Sequence, residues 1–279
     1  MTVTVITGAG GGMGLACTHA LRAHHLLLVD RDADALAAAL ALAPRAATSA
    51  ADVGSPADVA GLAQRVEELG GLEHLVHLAG VSPTMDDVDR ILQVDLAGTA
   101  HLLDALRGSA RPGSVAVCAA SIAGHLVDLG SDVDGLLDRP REPELRPRLE
   151  GVIGSPLTTG LAYALAKRGV IRLCESEAAA WGARGGRIVS LSPGLIDTPM
   201  GRRELRENEG KRGLIGLTPV RAPEDGGSTE LPGRNADIAQ VVAFLVSTEA
   251  RFLSGCDVRV DGGLVAALRT GAPAEGSPR

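Results

Sequence analysis

Aromatic residues, lysines and paired cysteines are scarce in this sequence. Its 279 residues include one Tyr, one Trp and two Phe, and lysine occurs only at Lys167 and Lys211. The cysteines lie far apart and form no C-x-x-C pair, so we expect free thiols in a reducing compartment and no metal site. They are Cys17, Cys118, Cys174 and Cys256.

Long apolar runs and runs of like charge are also missing. No apolar stretch reaches the roughly 18–20 residues that a membrane span needs. The net charge of −7 argues against a nucleic-acid-binding surface, which would need a basic stripe. The first strand pattern begins at Thr2 and leaves no room for a signal peptide. We therefore expect a cytoplasmic protein without nucleic-acid or membrane partners.

The chain alternates strand and helix patterns, which predicts an α/β fold with helices on both faces of a doubly wound parallel sheet. Helix patterns are read at 12–24, 32–42, from 55 onward, and at 88–107, 161–181 and 236–247. Strand patterns are read at 2–7, 26–30, 45–48, 72–78, 114–119, 187–191 and 257–260.

Two stretches interrupt this rhythm without marking a second domain. Residues 125–158 contain four prolines among charges, and we predict an inserted flap with short helical pieces, because long structureless loops are unusual in compact domains. Residues 199–234 are rich in Gly, Arg and Pro and suit a mobile lid over a site. We predict one domain over 1–270 and a flexible tail at 271–279.

A glycine-rich turn follows the first predicted strand and opens the first helix. Residues 7–14 read TGAGGGMG, the context that a dinucleotide-binding loop requires. Glycines let a pyrophosphate approach the main chain, and the helix N-terminus offers free N–H groups to it. A plain tight turn is the alternative, because glycines also make such turns.

Asp30 ends the second predicted strand, about where a dinucleotide-binding fold carries an acidic residue for the adenosine ribose. Its carboxylate can accept both ribose hydroxyls and would repel a 2′-phosphate, which favours NAD over NADP. The adjacent Arg31 could instead accept that phosphate, so NADP stays possible, and both residues could simply be solvated loop charges. Asp52 and Val53 follow the third strand and could reach the adenine.

Tyr163, the only tyrosine, and Lys167 are four residues apart on one face of a predicted helix. A phenol has a pKa near 10. A neighbouring ammonium lowers that pKa and makes the phenol a usable general acid/base. The alternative is a core tyrosine beside a lysine whose ammonium reaches solvent.

These motifs together resemble the short-chain dehydrogenase/reductase family, and within it the 3α-hydroxysteroid dehydrogenase/carbonyl reductase type. The resemblance covers most of 1–263 outside the 125–158 stretch. It rests on TGAGGGMG, Asp52-Val53, Ala79-Gly80, Ser121 in ASIAG, Tyr163-x-x-x-Lys167, Pro193-Gly194 with Thr198, and Asp261-Gly262-Gly263. LAYALAK, AAAWG and the long Ser121–Tyr163 spacing favour the steroid dehydrogenase type.

The resemblance implies a single-domain Rossmann fold and a role for each matched residue. Ser121 would bind the substrate oxygen, Tyr163 would transfer the proton, and Lys167 would hold the nicotinamide ribose. The backbone near Ile196 and Thr198 would contact the carboxamide. The implied cofactor-binding set is Gly8, Gly10, Gly12, Met13, Gly14, Asp30, Arg31, Asp52, Val53, Ala79, Gly80, Tyr163, Lys167, Pro193, Gly194, Ile196 and Thr198.

Two positions depart from the family pattern. His77-Leu78-Ala79-Gly80 stands where Asn-Asn-Ala-Gly is usual, and Asp95 stands where an asparagine supports a proton-relay water. We expect Asp95 to be a relay residue that raises the pKa of Tyr163. Equally, Asp95 could be a structural helix residue whose side chain hydrogen-bonds to nearby backbone groups.

The resemblance implies an NAD(P)-dependent oxidoreductase acting on a hydrophobic ketone or secondary alcohol, such as a steroid-like or secondary-metabolite carbonyl. The flap and the lid are expected to shape the substrate pocket. In this type the inserted segment is implied to cover a common helical interface, which favours a dimer over a tetramer. The alternatives are a non-catalytic dinucleotide-sensing protein on the same fold and an extended-type epimerase or dehydratase.

Overall fold

The computed structural model describes residues 2–221 and 230–271, and its centre is a seven-stranded parallel sheet. The strand order is β3-β2-β1-β4-β5-β6-β7, so the chain reverses its direction of winding between β3 and β4. This confirms the doubly wound Rossmann architecture. The strands are β1 (Val3–Thr7), β2 (Leu26–Asp30), β3 (Ala47–Ala50), β4 (Leu72–His77), β5 (Ala110–Ala119), β6 (Arg187–Pro193) and β7 (Asp257–Val260).

Helices cover both faces of this sheet. They are α1 (Gly12–Ala20), α2 (Ala33–Leu42), α3 (Pro56–Glu68), α4 (Val88–Ile91), α5 (Thr99–Arg107), α6 (Ser131–Leu137), α7 (Leu145–Ile153), α8 (Thr159–Gly182), α9 (Pro199–Glu207), α10 (Glu209–Gly216), α11 (Asn235–Val246) and α12 (Leu264–Thr270). A π-helical segment (Leu92–Gly98) joins α4 to α5. No helix in the described part of the chain is long and apolar enough to cross a membrane.

Local sequence determines where several helices begin. The Asp32 carboxylate accepts from the amides of Asp34 and Ala35 and so caps the N-terminus of α2. Ser55 caps α3, whose first residue is a proline. Thr158 caps α8 in the same way. Short polar side chains thus supply partners for amides that the first helical turn leaves unpaired.

Several predicted elements differ from the structure in their bounds or type. The third strand lies two residues later than predicted, at Ala47–Ala50, and α1 ends at Ala20, before the predicted limit. The predicted long helix at 88–107 is helical throughout but changes to π-helix at Leu92–Gly98. Helix α12 was not predicted, although its start is marked by Asp261, whose carboxylate accepts from the amides of Gly263 and Val265.

The insertion at 125–158 contains α6 and α7, as the short helical patterns predicted, but its position corrects the expected role. Asp134 of α6 binds the guanidinium of Arg168 on α8 at 2.5 and 2.7 Å. Arg146 of α7 pairs with Asp89 of α4 at 2.7 Å. These ion pairs and a shared apolar cluster hold the insertion against the outer helices. It therefore lies against α8, and Leu126 is its only residue that lines the cavity around Ser121 and Tyr163 described below.

The segment predicted as a lid contains two helices, α9 and α10. Residues 222–229 of that segment, and residues 272–279 of the predicted flexible tail, lie outside the described residues. The buried face of the lid joins Leu205 and Leu231 to Ile122 and Leu264. This small cluster brings α9 next to the carboxyl end of β5.

Candidate active site

The glycine-rich turn lies at the carboxyl edge of the sheet, between β1 and α1. Gly8 adopts a φ of +67°, and a Cβ there would lie 2.8 Å from the Ala79 amide nitrogen. A Cβ on Gly14 would collide with the Gly8 carbonyl oxygen. The turn therefore requires glycine at both positions, and the free α1 amides face a cavity that could take a phosphate.

A cavity of about 530 Å³ opens over this turn. It collects the first group of residues that the sequence predicted to bind a cofactor. These are Gly8, Gly10, Gly12, Met13, Gly14, Asp30, Arg31, Asp52, Val53, Ala79, Gly80 and Thr198. Residues from five loops that are distant in sequence thus meet, because the carboxyl ends of parallel strands share one edge.

Asp30 is held at the end of β2 by two main-chain bonds. Its Oδ2 accepts from the Gly10 amide at 3.0 Å, and its Oδ1 accepts from the Asp32 amide at 3.1 Å. The carboxylate therefore has a defined orientation at the cavity wall. Arg31 lines the same cavity, so both charges lie at its wall.

Asp52 has a partner that the sequence did not reveal. The guanidinium of Arg90, which also lines the first cavity, pairs with the Asp52 carboxylate. Burial opposes ionisation of Asp52, but the Gly54 amide and Arg90 bring its pKa below the ordinary value. The pair forms a rigid polar wall, and nothing local to either residue indicated it, because they are far apart in the chain.

A second cavity, of about 300 Å³, adjoins the first. It contains the remaining predicted residues except Asp95, namely Ser121, Tyr163, Lys167, Pro193, Gly194 and Ile196. The two cavities share Met13, Leu78, Gly80, Val81, Thr198 and Met200. A ligand that occupies the first cavity can thus extend to the tyrosine in the second.

Tyr163 faces this second cavity from α8, opposite Ser121 at the end of β5. Burial raises the pKa of its phenol well above the usual value, and the carboxylates of Glu204 and Asp95 raise it further. A hydrogen bond with Ser121 lowers this pKa. The sequence predicted that Lys167 lowers this pKa and that Asp95 raises it. The rise caused by Asp95 is confirmed, whereas the expected lowering is corrected, because desolvation of the hydroxyl outweighs the favourable hydrogen bond with Ser121.

Lys167 lies one turn beyond Tyr163 and is 5% exposed. Its Nζ lies 5.5 Å from the centre of the Tyr163 ring. The ammonium donates to the Ala119 carbonyl oxygen at 3.2 Å and lies 3.5 Å from the Asp95 carboxylate. Because these contacts occupy only part of its donor capacity, the ammonium can still bind a hydroxyl in the cavity.

Asp95 lies beneath the site and lines neither cavity. It is completely buried in the π-helical segment, and its Oδ1 accepts from the Val81 amide at 2.8 Å. Burial raises its pKa, whereas Lys167 and the Val81 amide oppose that rise. Asp95 accepts a hydrogen bond from a backbone amide, as a structural helix residue would, and also contacts Lys167, as a relay residue would. Both alternatives from the sequence therefore describe part of this geometry.

His77, at the position of the usual first asparagine, belongs to a buried hydrogen-bonded chain. Its Nδ1 lies 2.7 Å from the Thr7 hydroxyl and its Nε2 lies 3.0 Å from the Thr99 hydroxyl. Thr99 in turn donates to the Asp95 carbonyl oxygen at 2.8 Å. Burial, followed by the charge of Lys167, lowers the pKa of His77 to about 3. The ring is therefore neutral and connects the glycine turn to the π-helical segment.

The lid adds polar residues that the sequence analysis did not assign to the site. Glu204, Asn208 and Lys211 line the second cavity, and the ammonium of Lys211 pairs with the Glu204 carboxylate. The rarity of lysine could have drawn attention to Lys211. Nothing local pointed to Glu204, because it lies on an otherwise polar, charged helix.

One group of metal-ligand residue types occurs at the opposite edge of the sheet. Ligand atoms of His24, Glu73 and His74 lie within 4.8 Å of one another. The Val115 amide donates to Nδ1 of His74 at 3.2 Å, which places the proton of the neutral ring on Nε2. Thr4 donates to Glu73 at 3.2 Å. These bonds account for the cluster as a polar network.

Comparison with known protein families gives two matches along the chain. The family model described as short chain dehydrogenase matches residues 2–129, which contain the glycine turn and Ser121. The model described as enoyl-(acyl carrier protein) reductase matches residues 151–265, which contain Tyr163 and Lys167. Most of the insertion lies between the two matches.

Individual relatives agree with these matches. The chain is 30% identical over 224 residues to the short-chain dehydrogenase/reductase bsc3 of Alternaria brassicicola, covering 78% of this chain and 77% of that one. It is 29% identical to the 3-alpha-hydroxysteroid dehydrogenase/carbonyl reductase of Comamonas testosteroni, covering 96% and 98%. The solved structure of the 3-alpha-hydroxysteroid dehydrogenase from Pseudomonas sp. B-0831 complexed with NADH superposes with a TM-score of 0.75 at 25% identity, covering 98% and 100%.

Proposed function

The chain belongs to the short-chain dehydrogenase/reductase family of oxidoreductases, and we propose that it transfers a hydride between NAD(H) and a hydrophobic ketone or secondary alcohol. The observation that carries this proposal is the meeting of Ser121, Tyr163 and Lys167 in a cavity continuous with the glycine turn. A nicotinamide in that position would supply or accept the hydride, while the protein orients the reactants and moves the proton.

In the reduction direction, each of the three side chains has one task. The Ser121 hydroxyl donates to the carbonyl oxygen and polarises it. Tyr163, whose raised pKa keeps it protonated, gives its proton to the same oxygen as charge develops. Lys167 holds the ribose hydroxyls of the cofactor and offsets the phenolate charge that the proton transfer leaves behind.

The proposal is tested by absorbance at the reduced-nicotinamide band with a panel of apolar ketones. Tyr163→Phe should lower kcat/KM by about 10²–10⁴-fold, the usual contribution of a positioned acid, while NADH binding measured by calorimetry persists. Ser121→Ala should also lose activity. Its control is Ser131→Ala, which removes a serine at the start of α6, outside the cavity. Turnover by Tyr163→Phe at the wild-type rate would refute the mechanism.

The preference for NAD over NADP is supported by the fixed carboxylate of Asp30 at the wall of the first cavity. Removing it should let a 2′-phosphate approach Arg31. In Asp30→Ala, the ratio of kcat/KM for NADH to that for NADPH should fall by about 10-fold or more, given roughly 1.5–3 kcal/mol for a hydrogen bond to a charged group. In Arg31→Ala the ratio should stay or rise. A wild-type preference for NADPH would contradict the assignment.

Binding of NADH without turnover of any carbonyl would support the dinucleotide-sensing alternative instead.

We propose that residues 1–270 form one catalytic unit, since both cavities lie within a single sheet and its connections. The substrate we propose is a small carbonyl or alcohol compound of steroid-like or secondary-metabolite type. Support comes from the many apolar side chains around the second cavity.

We also propose a homodimer formed through the β7 edge of the sheet. The insertion covers the outer face of α8 within the same chain. In contrast, β7 pairs with no strand other than β6 in the described part of the chain. The segment that precedes it exposes Phe244 on α11, and Phe252 is fully exposed. Exposed apolar groups near an open edge are typical of protein–protein interfaces.

A cytoplasmic location is our proposal from the cysteines. All four are free thiols, and three of them are buried. Cys118 and Cys174 lie close enough to hydrogen-bond yet remain unbridged, which suits a reducing compartment. Cell fractionation of the native protein tests this location.

A further inference from the structure

We propose that Glu204 and Lys211 form a recognition site for a hydroxyl group of the substrate, at a position on its ring system other than the reacting carbon. The inference rests on the proposed function, because it concerns the same cavity. It narrows the substrate class from apolar carbonyl compounds in general to hydroxylated ones.

The pair is built into the wall of the second cavity. Glu204 lies on α9 and Lys211 on α10, and both line the cavity that contains Ser121 and Tyr163. Glu204 is only 8% exposed, which is unusual for a glutamate on a short surface helix. Its charge reaches Tyr163. The Glu204 carboxylate therefore faces the reacting centre, whereas the Lys211 side chain is 28% exposed.

The surroundings of the pair are mostly apolar. Apart from the residues assigned to catalysis or cofactor binding and the neighbouring Asn208, the cavity walls are made of aliphatic side chains, proline and glycine. The aliphatic ones include Ile122, Leu126, Leu195, Leu205, Leu214 and Leu231. Burying a charged pair in such a wall costs free energy unless its hydrogen-bonding capacity is used. A substrate group that hydrogen-bonds to the unused donors and acceptors of the pair would offset that cost.

The hydrogen-bonding groups that the pair leaves unused define the chemistry of the ligand. Glu204 Oε2 accepts from Lys211, whereas Oε1 has no hydrogen-bond partner among residues 2–221 and 230–271. The Lys211 ammonium has three N–H groups, of which that bond uses one. A hydroxyl can donate to Oε1 and accept from the ammonium at the same time. An ether or ketone oxygen can only accept, a carboxylate would be repelled by Glu204, and an ammonium would be repelled by Lys211.

The test uses decalin ketones with no hydroxyl and with one hydroxyl at each available ring position. The readout is the ratio of kcat/KM for a hydroxylated ketone to that for the plain ketone, which cancels any general loss of activity. The wild type should favour at least one hydroxylated isomer by about 10-fold or more, because hydrogen bonds to charged groups contribute this much. The double variant Glu204→Leu/Lys211→Met, which leaves no unpaired charge, should bring the ratio close to one.

Glu207→Leu is the matched control, since Glu207 lies on the same helix, is paired with Arg203 and does not line the cavity. It should keep the wild-type ratio. An unchanged ratio in the double variant, or a wild-type ratio near one for every isomer, would overturn the recognition site while leaving the proposed reaction standing. Failure of the wild type to reduce any of these ketones would count against the proposed function itself, and against the inference with it.

Discussion

Tyr163 is a weaker acid in this protein than a tyrosine in water. Burial of its hydroxyl comes first among the causes, and two carboxylates, Glu204 and Asp95, add to it. At neutral pH the phenol holds its proton, as a tyrosine in water also does. A bound oxidised nicotinamide would shift this balance toward the phenolate, because its positive charge stabilises the anion.

The substitution Asp95→Asn tests this balance at a single residue. Removing the buried charge should lower the pKa of Tyr163. The rising limb of the pH profile for alcohol oxidation should then move to lower pH by about half a unit to one unit, as expected for the loss of one nearby charge. Asp89→Asn, which removes an exposed carboxylate paired with Arg146, should leave the profile in place. Superimposable profiles for Asp95→Asn and wild type would show that the charge of Asp95 does not influence the phenol.

His77 makes the folded state sensitive to acid. Its folded pKa of about 3 lies below the ordinary 6.5, so the unfolded chain binds a proton first as the pH falls. The stabilisation is complete above pH 6.5 and is lost toward pH 3. From about pH 8 to pH 5, this residue should lower the free energy of unfolding by about 2 kcal/mol. Urea denaturation of His77→Asn at both pH values should show a correspondingly smaller decrease in the free energy of unfolding.

The exposed His19 provides the control for that measurement. His19→Asn should lose as much stability toward pH 5 as the wild type does. If His77→Asn were just as acid-sensitive as the wild type, the neutral histidine would have no part in the acid response.

At the scale of elements, the site depends on how closely the segment after β5 packs on α8. A Cβ on Gly124 would lie 2.7 Å from the Arg168 amide nitrogen and 2.9 Å from the Lys167 carbonyl carbon. These are backbone atoms and cannot rotate away. The glycine therefore sets the separation between the short helix that follows Ser121 and the helix that carries Tyr163 and Lys167.

Gly124→Ala should push these two elements apart. We expect kcat/KM to fall by about 10-fold or more, because small misplacements of reacting groups are costly, and the melting temperature to fall by several degrees. Gly151→Ala on α7 is the control, since a Cβ there meets nothing within 4 Å. It should retain full activity and lose no stability. Equal behaviour of the two variants would mean that the close approach is not required.

The π-helical segment is the other element-scale feature. Over Leu92–Gly98 the helix widens, and Asp95 in its middle reaches the Val81 amide at the end of the β4 loop. The Thr99 hydroxyl accompanies this change by donating to the Asp95 carbonyl oxygen. Irregular turns of this kind are frequent at functional sites, and here one brings a buried carboxylate beneath Lys167.

At the scale of the whole molecule, the insertion and the open sheet edge lead to one prediction about assembly. Phe252→Asp should convert the proposed dimer to a monomer at micromolar concentration, because a charge in an apolar interface is strongly unfavourable. Analytical ultracentrifugation measures this directly. Leu129→Asp, at an exposed apolar residue of the insertion, should leave the dimer intact. A wild type that sediments as a monomer, or dissociation by Leu129→Asp alone, would exclude the β7-edge dimer.

The sequence by itself determined the order of the elements and the local chemistry. The alternating strand and helix patterns and the glycines of the first turn act over a few residues, so they predicted the α/β sheet and the cofactor loop. The spacing of Tyr163 and Lys167 within one helix predicted their proximity for the same reason. Resemblance to a family then supplied Ser121 as the expected third member.

Only the tertiary structure decided which distant groups meet. The pairing of Arg90 with Asp52, the position of the insertion on α8, and the presence of Glu204 and Lys211 in the substrate cavity all join segments far apart in the chain. The sign of the pKa shift of Tyr163 was likewise decided by burial and by remote carboxylates. Electrostatic energies depend on distance and desolvation in three dimensions, and neither quantity can be read from the spacing of residues along one helix.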